Sequence, residues 1–388
     1  MFDSNRHRRS PSKHARGALS TSSHRRLTDV TARLGALLLS CAVVICTPLS
    51  SLRAASGDDK APESAAETHH KANDIPPRLQ WTANFGYCGE VSLISAGLYY
   101  GQYVSQYDAR AIASKNTDQS KEGSQLLLGV NDAYAASQMH LNATQWKSAS
   151  TANPNNFLAW VKENVALGYP VIISVFENRH SFDGSNDENA GDAEYDHIVQ
   201  VTGVSSKHPF TKPSVYDADD VITLSDNGLW SPTGQPTYVY RYASGAFQAS
   251  RKEANSKSHP IYSLPREGSN YGVAITGIID HDGKTLPVRL STDRKFEKPA
   301  MREGSNTRPP AEDLTLTVTV SGLKPGLSYK LYRYNSFQSV PNSGFNANAA
   351  KADKMWAINI QAGSTYIVKE KIRSDEIAVY RAVPDTAP

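Results

Sequence analysis

Three residues stand where their types and settings allow chemistry: Cys88, His197 and Asp226. Cys88 lies in the run Asn84-Phe85-Gly86-Tyr87-Cys88-Gly89-Glu90, directly ahead of a helical pattern over 90–104 in which Val91, Ile94, Leu98 and Tyr99 share a face. The first N–H groups of a helix have no intrahelical acceptor and form the positive end of its dipole, so a thiol placed there is favoured as the thiolate. The same N–H groups suit a developing oxyanion. His197 heads the run HIVQVTGV (197–204), and a strand end holds an imidazole more firmly than a loop does. His140, His180, His208, His259 and His281 lack such a setting. A third residue is needed to orient the imidazole, and Asp226, after the run VITL (221–224), is preferred, with Asn227 and Asp219 as alternatives. Singly, each has an ordinary reading as packed thiol, strand-end histidine or turn acid. Jointly, they read as acyl transfer by a cysteine nucleophile.

Cysteine usage sharpens the point. Of the chain's three cysteines, Cys41 and Cys46 fall within the apolar run from Leu34 to Cys46. That run follows a basic, Ser-rich stretch and precedes the small residues Ala54, Ala55 and Ser56, which is the order of a signal sequence. Residues 1–55 are therefore expected to be a signal peptide or an uncleaved signal anchor. Either places the folded part outside the cytosol, secreted or facing outward, with membrane contact only in the uncleaved case. Cys88 then stands alone in the mature chain and has no partner for an internal disulfide. The net charge of +3 also belongs to this leader: residues 1–55 hold nine Lys/Arg against two Asp/Glu, leaving 32 basic and 36 acidic residues beyond it. A mildly acidic remainder without basic clusters argues against nucleic-acid binding.

Positioning these residues requires helices first and strands after. Residues 56–75 read as a polar linker, with His69 and His70 at no metal-ligand spacing. Helices are expected at 125–136 and 156–167, then strands at 171–176, 197–204 and 221–224, which makes residues 76–255 an α+β domain. Beyond it, the runs at 271–279, 286–290, 314–323, 329–334 and 364–370 alternate between Gly, Pro and Asn turns, so residues 260–388 are expected to form an all-β sandwich domain. Leu323-Lys324-Pro325-Gly326-Leu327-Ser328-Tyr329 resembles the turn before a strand in fibronectin type III modules.

The order of elements over residues 78–235 resembles papain-like cysteine peptidases, and among them the compact group related to bacteriocin-processing double-glycine peptidases. The motifs that carry the resemblance are Asn-x-Gly-x-Cys-Gly-x-x-Ser (84–92), Gly168-Tyr169-Pro170-Val171-Ile172, Asp196-His197-Ile198-Val199-Gln200-Val201-Thr202-Gly203 and Leu224-Ser225-Asp226. It implies a papain-like fold for 76–255, with Cys88 as nucleophile, His197 as base and then acid to the leaving group, and Asp226 holding the imidazole. The family carries Gly-Pro after its nucleophile where this chain has Gly89-Glu90, and its oxyanion glutamine falls where position 82 here is Thr. Asn84 or Gln80 is expected to supply the amide donor instead, with Asn84 preferred for its closeness to Cys88.

The segment 181–196 holds Asp183, Asp187, Glu188, Asp192, Glu194 and Asp196 without EF-hand spacing, and reads as a solvated rim that would favour basic substrates. The function expected is an exported cysteine peptidase that hydrolyses peptide or amide bonds through a thioacyl enzyme, acting on a peptide or protein substrate with no cofactor and no metal. A transglutaminase or amidase with the same three residues is one alternative, separable by amine incorporation into glutamine. A secreted binding or adhesion protein with an inert papain-like domain is the other.

Overall fold

Helix α1 (Cys88–Tyr99) is buried from Gly89 to Leu98, because its sequence offers no polar face. A helix of that kind needs partners on every side. It packs on β5 (His197–Ser206) in one direction, and on β2 (Gln102–Tyr103), α2 (Gln106–Ala113) and β11 (Val288–Thr292) in others. Gly89 is required by this crowding, since a Cβ there would meet the Leu126 carbonyl oxygen at 2.1 Å. The computed structural model describes residues 69–146, 153–227, 239–293 and 300–385. The leader at 1–55 therefore lies outside the described residues. Among the described residues no helix is long and apolar enough to cross a membrane.

The architecture is α+β. β4 (Val171–Glu177) lies between β5 and β10 (Gly272–Ile278), and the large sheet runs β3 (Leu141–Gln145), β10, β4, β5, β6 (Val221–Ser225), β7 (Val239–Ala243). β1 (His69–Ala72) adds to β5, β9 (Tyr262–Pro265) to β4, and β8 (Gln248–Ala249) to β9. Every residue of β4 is buried, which fits its unbroken apolar run. Behind the sheet lies α4 (Pro154–Ala166), started by Pro154 and capped by the Asn153 side chain on the N–H groups of Asn155 and Asn156. Three short helices complete this part: α3 (Asp132–Gln138), α5 (Arg179–Asp183) and α6 (Arg251–Ala254).

The later strands form two sheets. β12 (Asp313–Ser321) lies between β11 and β15 (Thr365–Arg373), while β13 (Ser328–Tyr334) and β16 (Ala378–Pro384) lie between β14 (Lys354–Asn359) and β2. β12 alternates buried and half-buried residues, and its Leu314, Leu316, Val318 and Val320 join Leu331, Tyr334, Ile358 and Ala382 of the other sheet in one core. The Tyr329 hydroxyl accepts a hydrogen bond from the Lys324 N–H at 2.9 Å, a tyrosine corner of the kind found in β-sandwiches.

Several expectations are corrected. The first helix begins at Cys88 itself and ends at Tyr99, turned into β2 by Gly101 at φ +73°. The helix expected at 125–136 is confined to Asp132–Gln138. Ahead of it the Glu90, Asn131 and Asp132 side chains accept from the N–H groups of Leu126, Leu127 and Gly129, competing with helical hydrogen bonds. The linker expected at 56–75 contains strand β1, whose pairing with β5 uses backbone groups that a polar composition does not reveal. The boundary drawn at 255–260 is also displaced: β9 and β10 pair with β4 of the first sheet, and β2 of the first part pairs with β16. The described residues accordingly belong to one compact unit.

Candidate functional site

The loop ahead of Cys88 carries three successive left-handed residues, Asn84, Phe85 and Gly86, at φ 51°, 70° and 80°. Such a conformation is costly for Asn and Phe and persists only when its surroundings impose it. Arg110 of α2 does so: its Nη1 donates to the Asn84 carbonyl at 2.8 Å, its Nη2 to the Gly86 carbonyl, and its Nε to Glu90 Oε1 at 2.6 Å. The guanidinium also lies 3.5 Å over the Tyr87 ring. Arg110 and Glu90 are fully buried, and Glu90 Oε1 accepts in addition from the Leu126 N–H at 3.0 Å. Glu90, which stands where the resembled peptidases carry Pro, is thus the counter-ion of the arginine that shapes the loop ahead of Cys88.

Across from the loop, the partly exposed Cys88 meets His197, which is only 3% exposed and is paired across the sheet with Val175. Nε2 lies 3.2 Å from Asp226 Oδ1, and the Cys88 side chain is close enough to the ring to act on its charge. Burial by itself would lower the His197 pKa, but the hydrogen bond to Asp226 and the electrostatic influence of Cys88 and Asp226 raise it well above its ordinary value. Asp226, fully buried after β6, uses Oδ2 to accept from the Tyr262 hydroxyl at 2.6 Å. The Tyr262 ring stacks on His197 with centroids 5.6 Å apart and planes at 23°. Burial, with the Asp226 charge, holds the Tyr262 phenol far above its usual range, so it remains a neutral donor. Glu177, at the end of β4, lies in the same field: burial raises its pKa, and the charge of His197 opposes the rise.

The alternatives for the third position fall elsewhere. Asn227 points its amide nitrogen at the Cys88 carbonyl, the Ser92 hydroxyl and the Ile198 carbonyl at 3.0, 2.7 and 3.0 Å, and so ties α1 to β5. Asp219 is exposed and pairs with Lys207 at 3.0 Å.

Asn84, preferred as the amide donor, is not free for that role. Its Nδ2 donates to the Ser305 carbonyl at 2.8 Å and its Oδ1 accepts from the Gly304 N–H at 2.8 Å. Gln80 is different: its N–H donates to the Asn227 carbonyl at 2.8 Å, which sets it beside the start of α1, and its carboxamide oxygen is buried without a partner. The N–H groups of Cys88, Gly89 and Glu90 begin the helix and have no intrahelical acceptor.

In the segment 181–196, Asp183 pairs with Arg179, Glu188 with Lys252 and Asp196 with Arg251, so half of its acids are spent on ion pairs. Asp196 further accepts from the Glu177 N–H at 2.8 Å, fixing the chain just before His197. Among the described residues no group of three or more His, Cys, Asp or Glu is arranged to hold a metal ion. Tyr262 and Arg110 were missed by the sequence reading; a buried tyrosine in a short strand and an arginine on a short helix carry no motif. No family model, curated protein or solved structure matches this chain, so what the cluster does is argued from its own geometry.

Proposed function

We propose that the chain is an exported, papain-like cysteine peptidase that hydrolyses peptide or amide bonds. The observation that carries this reading is the buried imidazole of His197, bonded to the Asp226 carboxylate and within electrostatic reach of the Cys88 thiol. With Nε2 engaged by Asp226, Nδ1 is the nitrogen left to exchange a proton with Cys88. The thiolate attacks the substrate carbonyl carbon, and the oxyanion that forms is met by N–H groups at the start of α1 and by the Gln80 carboxamide. His197 gives its proton to the leaving nitrogen, the C–N bond breaks and the amine departs, leaving a thioester on Cys88. His197 then takes a proton from water, whose oxygen attacks the thioester. The C–S bond breaks, the acid leaves, and the proton returns to the Cys88–His197 pair.

The papain-like assignment rests on the arrangement: nucleophile on the first turn of a buried helix, base at the head of a sheet strand, acid at the end of the strand beside it. Glu90 does not speak for an inert domain, because its pairing with Arg110 supports the nucleophile loop. The test is alkylation of the full chain by iodoacetamide near pH 6, with labelling of Cys88 followed by peptide mass spectrometry. Cys88 is expected to react at least about tenfold faster than in His197→Ala, since the thiolate is the reacting form. Peptide hydrolysis is expected to vanish in Cys88→Ala. Equal alkylation rates in parent and His197→Ala would remove the proposal.

A further inference from the structure

The far end of α1 opens on a cavity of about 360 Å³, whose walls include Tyr99, Tyr100, Tyr169, Val288, Arg289 and Arg381. Eleven helical steps from Cys88 to Tyr99 at 1.5 Å each put it roughly 16 Å from Cys88, so it is separate from the candidate active site.

Arg381 is 1% exposed and has only neutral partners: Nη1 donates to the carbonyls of Tyr100 at 3.2 Å and Tyr380 at 2.9 Å, and Nη2 to Gln102 Oε1 at 3.0 Å. Its Nε is buried with no partner. The carboxylate whose charge reaches it, Asp280, forms no ion pair with it: its Oδ2 is taken by the Thr285 N–H and hydroxyl at 2.9 and 2.7 Å, and its Oδ1 is buried without a hydrogen bond among the described residues. The C-terminal end of α1 offsets part of the cation, but a helix end supplies only about half a charge. Burial accordingly pulls the Arg381 pKa down to about 10. Arg289 is half-buried and lies 4.0 Å over the Tyr99 ring, and among the described residues its guanidinium has no hydrogen bond or ion pair. Two guanidiniums without carboxylate partners thus border one cavity, and an uncompensated buried cation is expensive.

We infer that this cavity binds a small organic anion, its carboxylate or phosphate head taken by Arg381 and Arg289 and its apolar body lying against the tyrosine rings and Val288. A planar guanidinium fork matches either head group, and the volume is that of a small-ligand site.

The test is titration of the full chain with benzoate and with phenyl phosphate, using neutral benzamide as control, followed by calorimetry and by the shift in thermal midpoint. At least one anion is expected to saturate the protein, with benzamide at least about tenfold weaker. Arg289→Gln, which removes no internal hydrogen bond, is expected to keep the thermal midpoint of the free protein and to weaken the anion at least about tenfold. The stronger of the two anions identifies the head group. Binding of neither anion, equal binding of benzamide, or unchanged affinity in Arg289→Gln would overturn the assignment.

Discussion

At the scale of single residues, His197 is the group whose chemistry depends most on its neighbours. Its raised pKa has a definite sign for stability: the protonated ring is favoured in the folded state, so its contribution is fully present below the unfolded value near 6.5 and is lost as pH rises through the raised folded value. Asp226→Asn keeps a hydrogen-bonding side chain beside Tyr262 but removes the charge. In that variant the His197 titration followed by NMR is expected to move down, the loss of stability on the alkaline side to shift to lower pH, and peptide hydrolysis to fall on the order of a hundredfold. A merely structural Asp226 would lower stability and leave the His197 titration where it was. Cys88, His197 and Asp226 were legible in the sequence because each stands at the end of an element, where a change of hydrophobic period marks the position. Tyr262 was not, since it reaches Asp226 across 36 residues of chain from a strand whose partner the sequence does not name. Asn84 misled for a related reason: proximity to Cys88 in the chain suggested a donor, whereas its amide is drawn to Gly304 and Ser305.

At the scale of elements, the junction of the loop ahead of Cys88 with α1 and α2 depends on one buried ion pair. Removing one member of such a pair leaves the other charge buried and uncompensated, at a cost of about 3–5 kcal/mol. Glu90→Ala is expected to lower unfolding stability by about that amount in urea titrations. It is also expected to slow Cys88 alkylation under conditions where the variant is still folded, because Arg110 would no longer be held on the Asn84 and Gly86 carbonyls. A loss below about 1 kcal/mol, the range of exposed pairs, would show that the loop is held by other contacts. The helix expected at 156–167 and found at Pro154–Ala166 was readable from the Pro154-Asn155-Asn156 run that opens it and from its apolar stripe, both local signals. The segment 125–131 was not, because its backbone donors go to Glu90, Asn131 and Asp132 instead of to carbonyls four residues back.

For the molecule as a whole, the buried helix α1 decides how the two sheet systems relate. Its residues Leu93, Ile94, Ala96 and Leu98 share one core with Ile198 of the large sheet and with Leu290, Leu316, Leu331 and Ala382 of the later strands. Two cross-connections reinforce that core: β10 supplies the large sheet from beyond residue 260, and β2 supplies an edge to β16. Alternation in the later strands revealed which residues face inward, but strand pairing is a long-range choice that alternation does not encode, so β10 was assigned to the wrong sheet by its neighbours in the chain. A fragment cut at residue 260 would carry β9 and β10 away from β4 and leave the apolar side of the later sheets without α1. Residues 260–388 expressed alone are therefore expected to give a poorly dispersed amide NMR spectrum, and 76–255 alone to leave Cys88 no more reactive toward iodoacetamide than the urea-unfolded chain. A dispersed spectrum from the isolated 260–388 fragment, with a cooperative thermal transition of its own, would mean that the later sheets fold without α1 and that the shared core is a contact between two independent domains.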